Sequence, residues 1–432
     1  MSEKKRIVKR REVPKRAEGE GSLRRRSGPR GASKNQPPLK KEDDFSLCHI
    51  KKECGSCVLV NDPYKPGLKR KFDAGIEILR ENDVLRSARV LGATGSPREL
   101  AYRSVAKLAV RKGSEEPFEI GLFQPGSHKV VDVSRCPVHI PAINRCVRAL
   151  KKLLNDSALT PWDEQSLEGD IRYIIVRAAH QTQELSLTFV CKDETPAKTL
   201  KEIVRKIQEN LSIHGAYLNC NPDQGNHIFG KKTVRICGGE KLRERLCDLR
   251  FEISPASFFQ VNPWQATNLY RRIGDLVGTG APEAVAWDLY SGVGPISMIL
   301  ARNGYKTVAI EENPNAVADA GHHNRINGFE DMIHNMTGCV ELVQEQIPKW
   351  GQYPQVVVVN PSRRGIAPQT RSFLKKLLSA SSNTQLIYVS CDINTLARDL
   401  ADLQQSGRQL RQIEAFDMFA QTDKLEWLAV IT

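Results

Sequence analysis

From residue 284 onward, short β-branched runs alternate with longer helical patterns. AVAWDLY (284–290), KTVAIEE (306–312), QVVVVNP (355–361) and LIYVSC (386–391) read as strands. Between the first of these, PISMILARNG and PNAVADAGHHNRING read as helices. LRQIEAFDMF and EWLAVIT close the chain as further strand signals. Strands that alternate with helices predict a mostly parallel, doubly wound α/β sheet over 251–432. Upstream, AYRSVAKLAVRKG (101–113), IRYIIVRAA (171–179) and ELSLTFVCK (184–192) predict strands, while Lys69 to Glu81 and Thr199 to Leu211 predict helices. The expected organisation is a tail (1–44), a cysteine-bearing region (45–150), a central α+β region (151–250) and the α/β domain. There are no internal repeats.

Charge singles out the tail. The chain carries +14, and residues 1–44 contribute +8 of it from 15 Lys/Arg and 7 Asp/Glu. Rich in Gly, Pro and Ser and free of aromatics, this segment is expected to be disordered. Basic arms of this kind bind polyanions, nucleic acid above all, although a solvated tail has the same composition. On the 101–113 strand, Arg103, Lys107 and Arg111 share one side, suited to a phosphate backbone or simply to water. No apolar run reaches 18 residues, and the N-terminus has no hydrophobic leader. A cytoplasmic location is therefore expected, with its 11 cysteines reduced.

Three cysteines stand apart. Cys48, Cys54 and Cys57 form C-x5-C-x2-C, and Cys136 opens CPVHIPAINRC. Close thiolates converge on soft metals. Three near cysteines and a distant fourth resemble iron–sulfur spacing, while four-cysteine zinc sites also use C-x2-C. Spacing leaves the fourth ligand open between Cys136 and Cys146.

The C-terminal ends of parallel strands are where such sheets bind ligands. Cys391 ends one strand. DLYSGVGPIS (288–297) is a glycine-containing turn that lets a ligand approach the backbone. Glu311 closes the next strand, placed to accept the hydroxyls of a ribose. Without a pyrophosphate-binding fingerprint or a Walker lysine, this edge suits S-adenosylmethionine better than NAD or ATP. NPSRRG (360–365) adds Asn360, whose amide both donates and accepts, and two arginines.

Taken together, SFFQVNP (257–263), WDLYSGVG (287–294), AIEENP (309–314), VVNPSRRGI (358–366), YVSCDINTLARDL (388–400) and FDMFAQTDKLE (416–426) resemble the bacterial RNA uracil-C5 methyltransferases. The cysteine cluster resembles the iron–sulfur site of the family's 23S rRNA branch. The resemblance implies a C-terminal S-adenosylmethionine methyltransferase domain that makes 5-methyluridine in RNA, with 23S rRNA the expected target and tRNA the alternative. A monomer is expected. By the same resemblance Cys391 is the nucleophile and Glu426 the base. Gln260, Tyr290, Glu311 and Asn360 bind the methyl donor, and Cys48, Cys54, Cys57 and Cys136 hold a [4Fe–4S] cluster. The chain departs from the family at Ser291 (usually Cys), Pro295, Ser362 (often Pro) and Ala420-Gln421 (usually Pro-His). A non-catalytic iron–sulfur RNA-binding protein and a zinc-dependent small-molecule methyltransferase are the competing readings.

Overall fold

The computed structural model describes residues 47–86, 88–223, 227–343 and 346–432. The basic tail lies outside them. The C-terminal sheet has eight strands, running Arg89–Thr94, Leu410–Phe416, Glu426–Ile431, Gln385–Ser390, Val356–Val359, Val285–Leu289, Lys306–Glu311 and Ile333–Thr337 across its width. Only Glu426–Ile431 is antiparallel to its neighbours. The chain order reverses between Val285–Leu289 and Val356–Val359, and a ligand crevice opens at such a switch point.

Continuous apolar runs arise because both faces of this sheet are covered. Val285, Trp287 and Leu289 join one core with Val357, Val359, Leu386 and Tyr388. Their alternates Ala286, Val356, Val358, Ile387 and Val389 join the core on the opposite side. Helices Tyr64–Glu81, Pro368–Ala380 and Ile393–Leu403 cover the first face; Pro263–Val277 and Pro295–Arg302 cover the second.

A second, seven-stranded sheet spans Val105–Lys112 to Lys232–Gly238, with helices Pro141–Asn155 and Ala197–Gln208 against one face. It runs across residue 150, so the expected cysteine-bearing and central regions share one sheet. Residues expected in the 45–150 region also build the eight-stranded sheet: Arg89–Thr94 pairs in parallel with Leu410–Phe416. Ile333–Thr337 is a strand that the sequence pattern did not mark.

The basic stripe divides. Arg111 pairs with Glu164 and lies 5.1 Å from the Phe123 ring centre and 5.6 Å from that of Tyr173. Lys107 stays exposed, 5.7 Å from the Phe229 ring centre. Among the described residues no helix is long and apolar enough to cross a membrane.

Candidate active site

Cys391 sits where strand Gln385–Ser390 turns into helix Ile393–Leu403. Asp392 caps that helix, its carboxylate accepting from the N–H groups of Asn394 (3.1 Å) and Thr395 (3.0 Å). The Ser390 hydroxyl donates to the Asp392 carbonyl at 3.0 Å and accepts its N–H at 3.2 Å. The turn that carries the thiol is thus pinned on both sides. Ser390 pairs with Trp427 in antiparallel register, so one step further Cys391 lies opposite Glu426. This register joins two residues from separate motifs at one end of the sheet.

Their charges interact. Burial pushes the Glu426 carboxyl up to about 8, into the range where a carboxylate can take and release protons near neutrality. Cys391 is raised to about 11, first by burial and then by Glu426, while Arg363 pulls it down. The free site therefore holds a protonated thiol, with Arg363 as the nearby cation that favours thiolate. Asp399 braces the loop that bears Arg363. Its carboxylate accepts the Ile366 N–H (2.8 Å), the Tyr388 hydroxyl (2.7 Å) and the Arg371 guanidinium (2.8 Å).

Tyr290, Glu311 and Asn360 sit at the C-terminal ends of the neighbouring strands. Gly292 and Gly294 adopt positive φ (58° and 85°), as does Tyr290 (63°), so the 290–294 turn folds tightly over the end of its strand. Glu311 accepts the Gly292 N–H at 3.0 Å and the Asn313 N–H at 2.9 Å, tying that turn to the next strand. Asn360 follows Val356–Val359 on the other side of the switch point, and its N–H donates to the Leu289 carbonyl at 3.3 Å. Gln260 is buried beside Tyr270, whose hydroxyl it hydrogen-bonds; Tyr270 also lies within electrostatic reach of Glu426. The Tyr290 ring packs into the core beneath the turn, so its backbone borders the edge more than its ring does.

Asp288 belongs to this edge and was not assigned from the sequence. It is fully buried, and burial pushes it up to about 7. One carboxylate oxygen accepts the Ser297 hydroxyl at 2.5 Å. The other has no partner among the described residues. A buried, half-satisfied carboxylate favours a cationic neighbour, and S-adenosylmethionine carries an ammonium and a sulfonium. A carboxylate inside an otherwise apolar strand was the signal available in the sequence.

The four predicted metal ligands act on one another. Cys57 is pushed up to about 12 by burial, then by Cys136 and Cys54. Cys136 is raised to about 11 by burial, with Cys54 adding to the rise. Cys48 is also raised, by burial and by Cys54. Cys146 is different: it is fully buried in the core of the seven-stranded sheet and shifted by burial alone. Thiols that disfavour one another's thiolates fit a shared cationic centre. Among the described residues no three His, Cys, Asp or Glu close tightly enough to hold a single metal ion. Gly55, inside the C-x2-C turn, has φ +64°, and a Cβ there would lie 2.5 Å from the Pro125 ring.

Residues 92–431 match the family described as tRNA (uracil-5-)-methyltransferase. An uncharacterized RNA methyltransferase of Oceanobacillus iheyensis is 32% identical over 89% of this chain and 82% of its own length. One from Clostridium acetobutylicum is 31% identical over 89% and 83%. Among solved structures, the tRNA (uracil-54, C5)-methyltransferase of Pyrococcus abyssi, in complex with S-adenosyl-L-homocysteine, superposes with a TM-score of 0.68 at 26% identity. That match covers 86% of this chain and 84% of the other.

Proposed function

The chain belongs to the tRNA (uracil-5-)-methyltransferase family, and from that membership we propose that it methylates C5 of a uridine in 23S rRNA, as a cytoplasmic monomer. The observation that carries this reading is the register that sets Cys391 opposite Glu426 at the ligand edge of the sheet.

Uracil C5 is too weak a nucleophile to attack a methyl sulfonium unaided. The Cys391 thiol gives its proton to solvent and adds as thiolate to C6, forming an S–C6 bond and moving an electron pair towards C5. S-adenosylmethionine supplies the electrophilic methyl group. C5 takes that methyl, and the donor's sulfur keeps the pair from the broken S–CH3 bond. The Glu426 carboxylate then removes the C5 proton; the pair left behind restores the C5–C6 double bond and expels Cys391 as thiolate. Gln260, Tyr290, Glu311 and Asn360 hold the methyl donor, and Arg363 favours the attacking thiolate. The target base must leave its stack to reach Cys391, so a looped or flipped uridine is required.

Cys48, Cys54, Cys57 and Cys136 hold a [4Fe–4S] cluster. Their mutual electrostatic influence supports this set over one that includes Cys146. The methyl transfer moves no electrons, so the cluster's part is to shape the RNA-binding region.

The likeness to the Pyrococcus abyssi enzyme, which acts on tRNA by its name, favours tRNA as the second reading. Purified protein incubated with methyl-labelled S-adenosylmethionine and either unmodified 23S rRNA or unmodified tRNA decides between them. Label in 5-methyluridine of rRNA alone supports the first reading, and label in tRNA alone overturns it in favour of the second. Label in neither contradicts both.

A further inference from the structure

The loop that delivers Glu426 to its strand has no regular structure of its own. It runs from Asp417 to Leu425, between strands Leu410–Phe416 and Glu426–Ile431. Its carbonyls are nevertheless taken up by donors from elsewhere in the chain. The Lys71 ammonium, on helix Tyr64–Glu81, lies 3.4 Å from the Phe419 carbonyl and 3.1 Å from those of Thr422 and Lys424. It also pairs with Asp417 at 2.7 Å. Asp417 in turn accepts the Tyr64 hydroxyl at 2.8 Å. The Tyr102 hydroxyl donates to the Ala420 carbonyl at 2.8 Å, and the Leu59 N–H donates to that of Gln421 at 2.9 Å. Gln421 sits at φ +71°.

The side chains of Lys71 and Asp417 are 4% and 0% exposed. Burying an ion pair costs about as much as the pair returns, so it is weak evidence for stability alone. What this pair does is fix geometry: one cation draws together three carbonyls of a loop that would otherwise be free to shift. Glu426 needs such help. No side-chain hydrogen bond holds its carboxyl among the described residues, so its position follows from where the loop enters the strand. Two clamped carbonyls belong to Ala420 and Gln421, where this chain departs from the family's usual Pro-His. Tyr102 also packs against Cys57 and Cys136, so the clamp joins the cysteine-bearing segment to the base.

We propose that Lys71, seconded by Tyr102, is a positioning residue for Glu426, holding the 417–425 loop so that the carboxylate meets the C5 proton. The proposal rests on Glu426 being the base. A loosened loop then leaves thiol addition and methyl transfer intact and slows only the last step. Enzyme should accumulate bound through Cys391 to RNA that is already methylated.

The test compares wild type, Lys71→Met, Tyr102→Phe, Glu426→Gln and Cys391→Ala on whichever RNA transcript wild type methylates, with methyl-labelled S-adenosylmethionine. The readout is labelled protein–RNA complex that survives denaturation, beside kcat, KM for RNA and calorimetric affinity for S-adenosylmethionine. Lys71→Met is expected to bind S-adenosylmethionine as wild type does and to keep its kcat/KM, because KM falls together with kcat when only the step after covalent addition slows. Its kcat should fall about 10- to 100-fold, with labelled complex accumulating as in Glu426→Gln. Tyr102→Phe should do the same to a smaller degree. A Lys71→Met protein that binds the methyl donor but accumulates no complex overturns the proposal. If that variant does not fold, Tyr102→Phe, which loses one hydroxyl, decides by the same readout. If Glu426→Gln itself accumulates none while Cys391→Ala is inactive, the assignment of the base has failed, and the positioning role falls with it.

Discussion

Glu426 lies close enough to Cys391 for its carboxylate to disfavour the thiolate. Removing the carboxylate removes a like charge, so Glu426→Gln should lower the pKa of Cys391 and speed its alkylation. Iodoacetamide labelling followed by mass spectrometry at pH 8 reads this directly, and an unchanged or slower rate would contradict the shared site. The same carboxyl makes stability depend on pH. Its folded pKa of about 8 lies above its ordinary value of 4.5. The stability it contributes is thus complete below pH 4.5 and is lost as pH rises through 8. Glu426→Gln should therefore melt close to wild type near pH 4.5 and above it by a margin that grows towards pH 9. A constant difference across that range would place the carboxyl in water.

Helix Tyr64–Glu81 lies against the strand that begins at Glu426, with Phe72 stacked on Trp427 at 5.5 Å between ring centres. Gly75 marks the closest approach: a Cβ there would stand 2.2 Å from the Trp427 ring. Helix propensity alone favours Gly75→Ala by about 1 kcal/mol. Overpacking of this kind costs roughly 1–3 kcal/mol, so net destabilisation is expected in guanidinium unfolding; a gain would show the helix free to move off the strand. The four strands around the switch point are legible in the sequence because burial on both faces leaves unbroken apolar runs. Ile333–Thr337 is not, since His334 and Asn335 interrupt it and only pairing with Lys306–Glu311 makes it a strand. Arg89–Thr94 is an exposed edge whose partner lies at the far end of the chain, and no local pattern announces that pairing. The site shows the same division. Cys391 and Glu311 are recognisable as polar residues that end apolar strands. Lys71 is not, because its partners are largely backbone carbonyls, which leave no mark on a sequence.

At the scale of the molecule, residues ahead of the seven-stranded sheet do two things at once. They carry Cys48, Cys54 and Cys57, and they add a strand and a helix to the eight-stranded sheet. If the cluster is held as proposed, anaerobically purified protein contains iron and absorbs visible light. Cys54→Ser and Cys136→Ser should each lose both, and Cys146→Ser should keep them; zinc in place of iron would contradict the assignment. Covalent catalysis by Cys391 is decided by RNA containing 5-fluorouridine. Fluorine at C5 leaves Glu426 no proton to remove, so the methylated adduct cannot break down. Incubated with this RNA and S-adenosylmethionine, wild-type protein should form a denaturation-resistant protein–RNA complex that disappears in Cys391→Ala. RNA that binds wild type without forming the complex, or a complex that persists in Cys391→Ala, would remove Cys391 as the nucleophile.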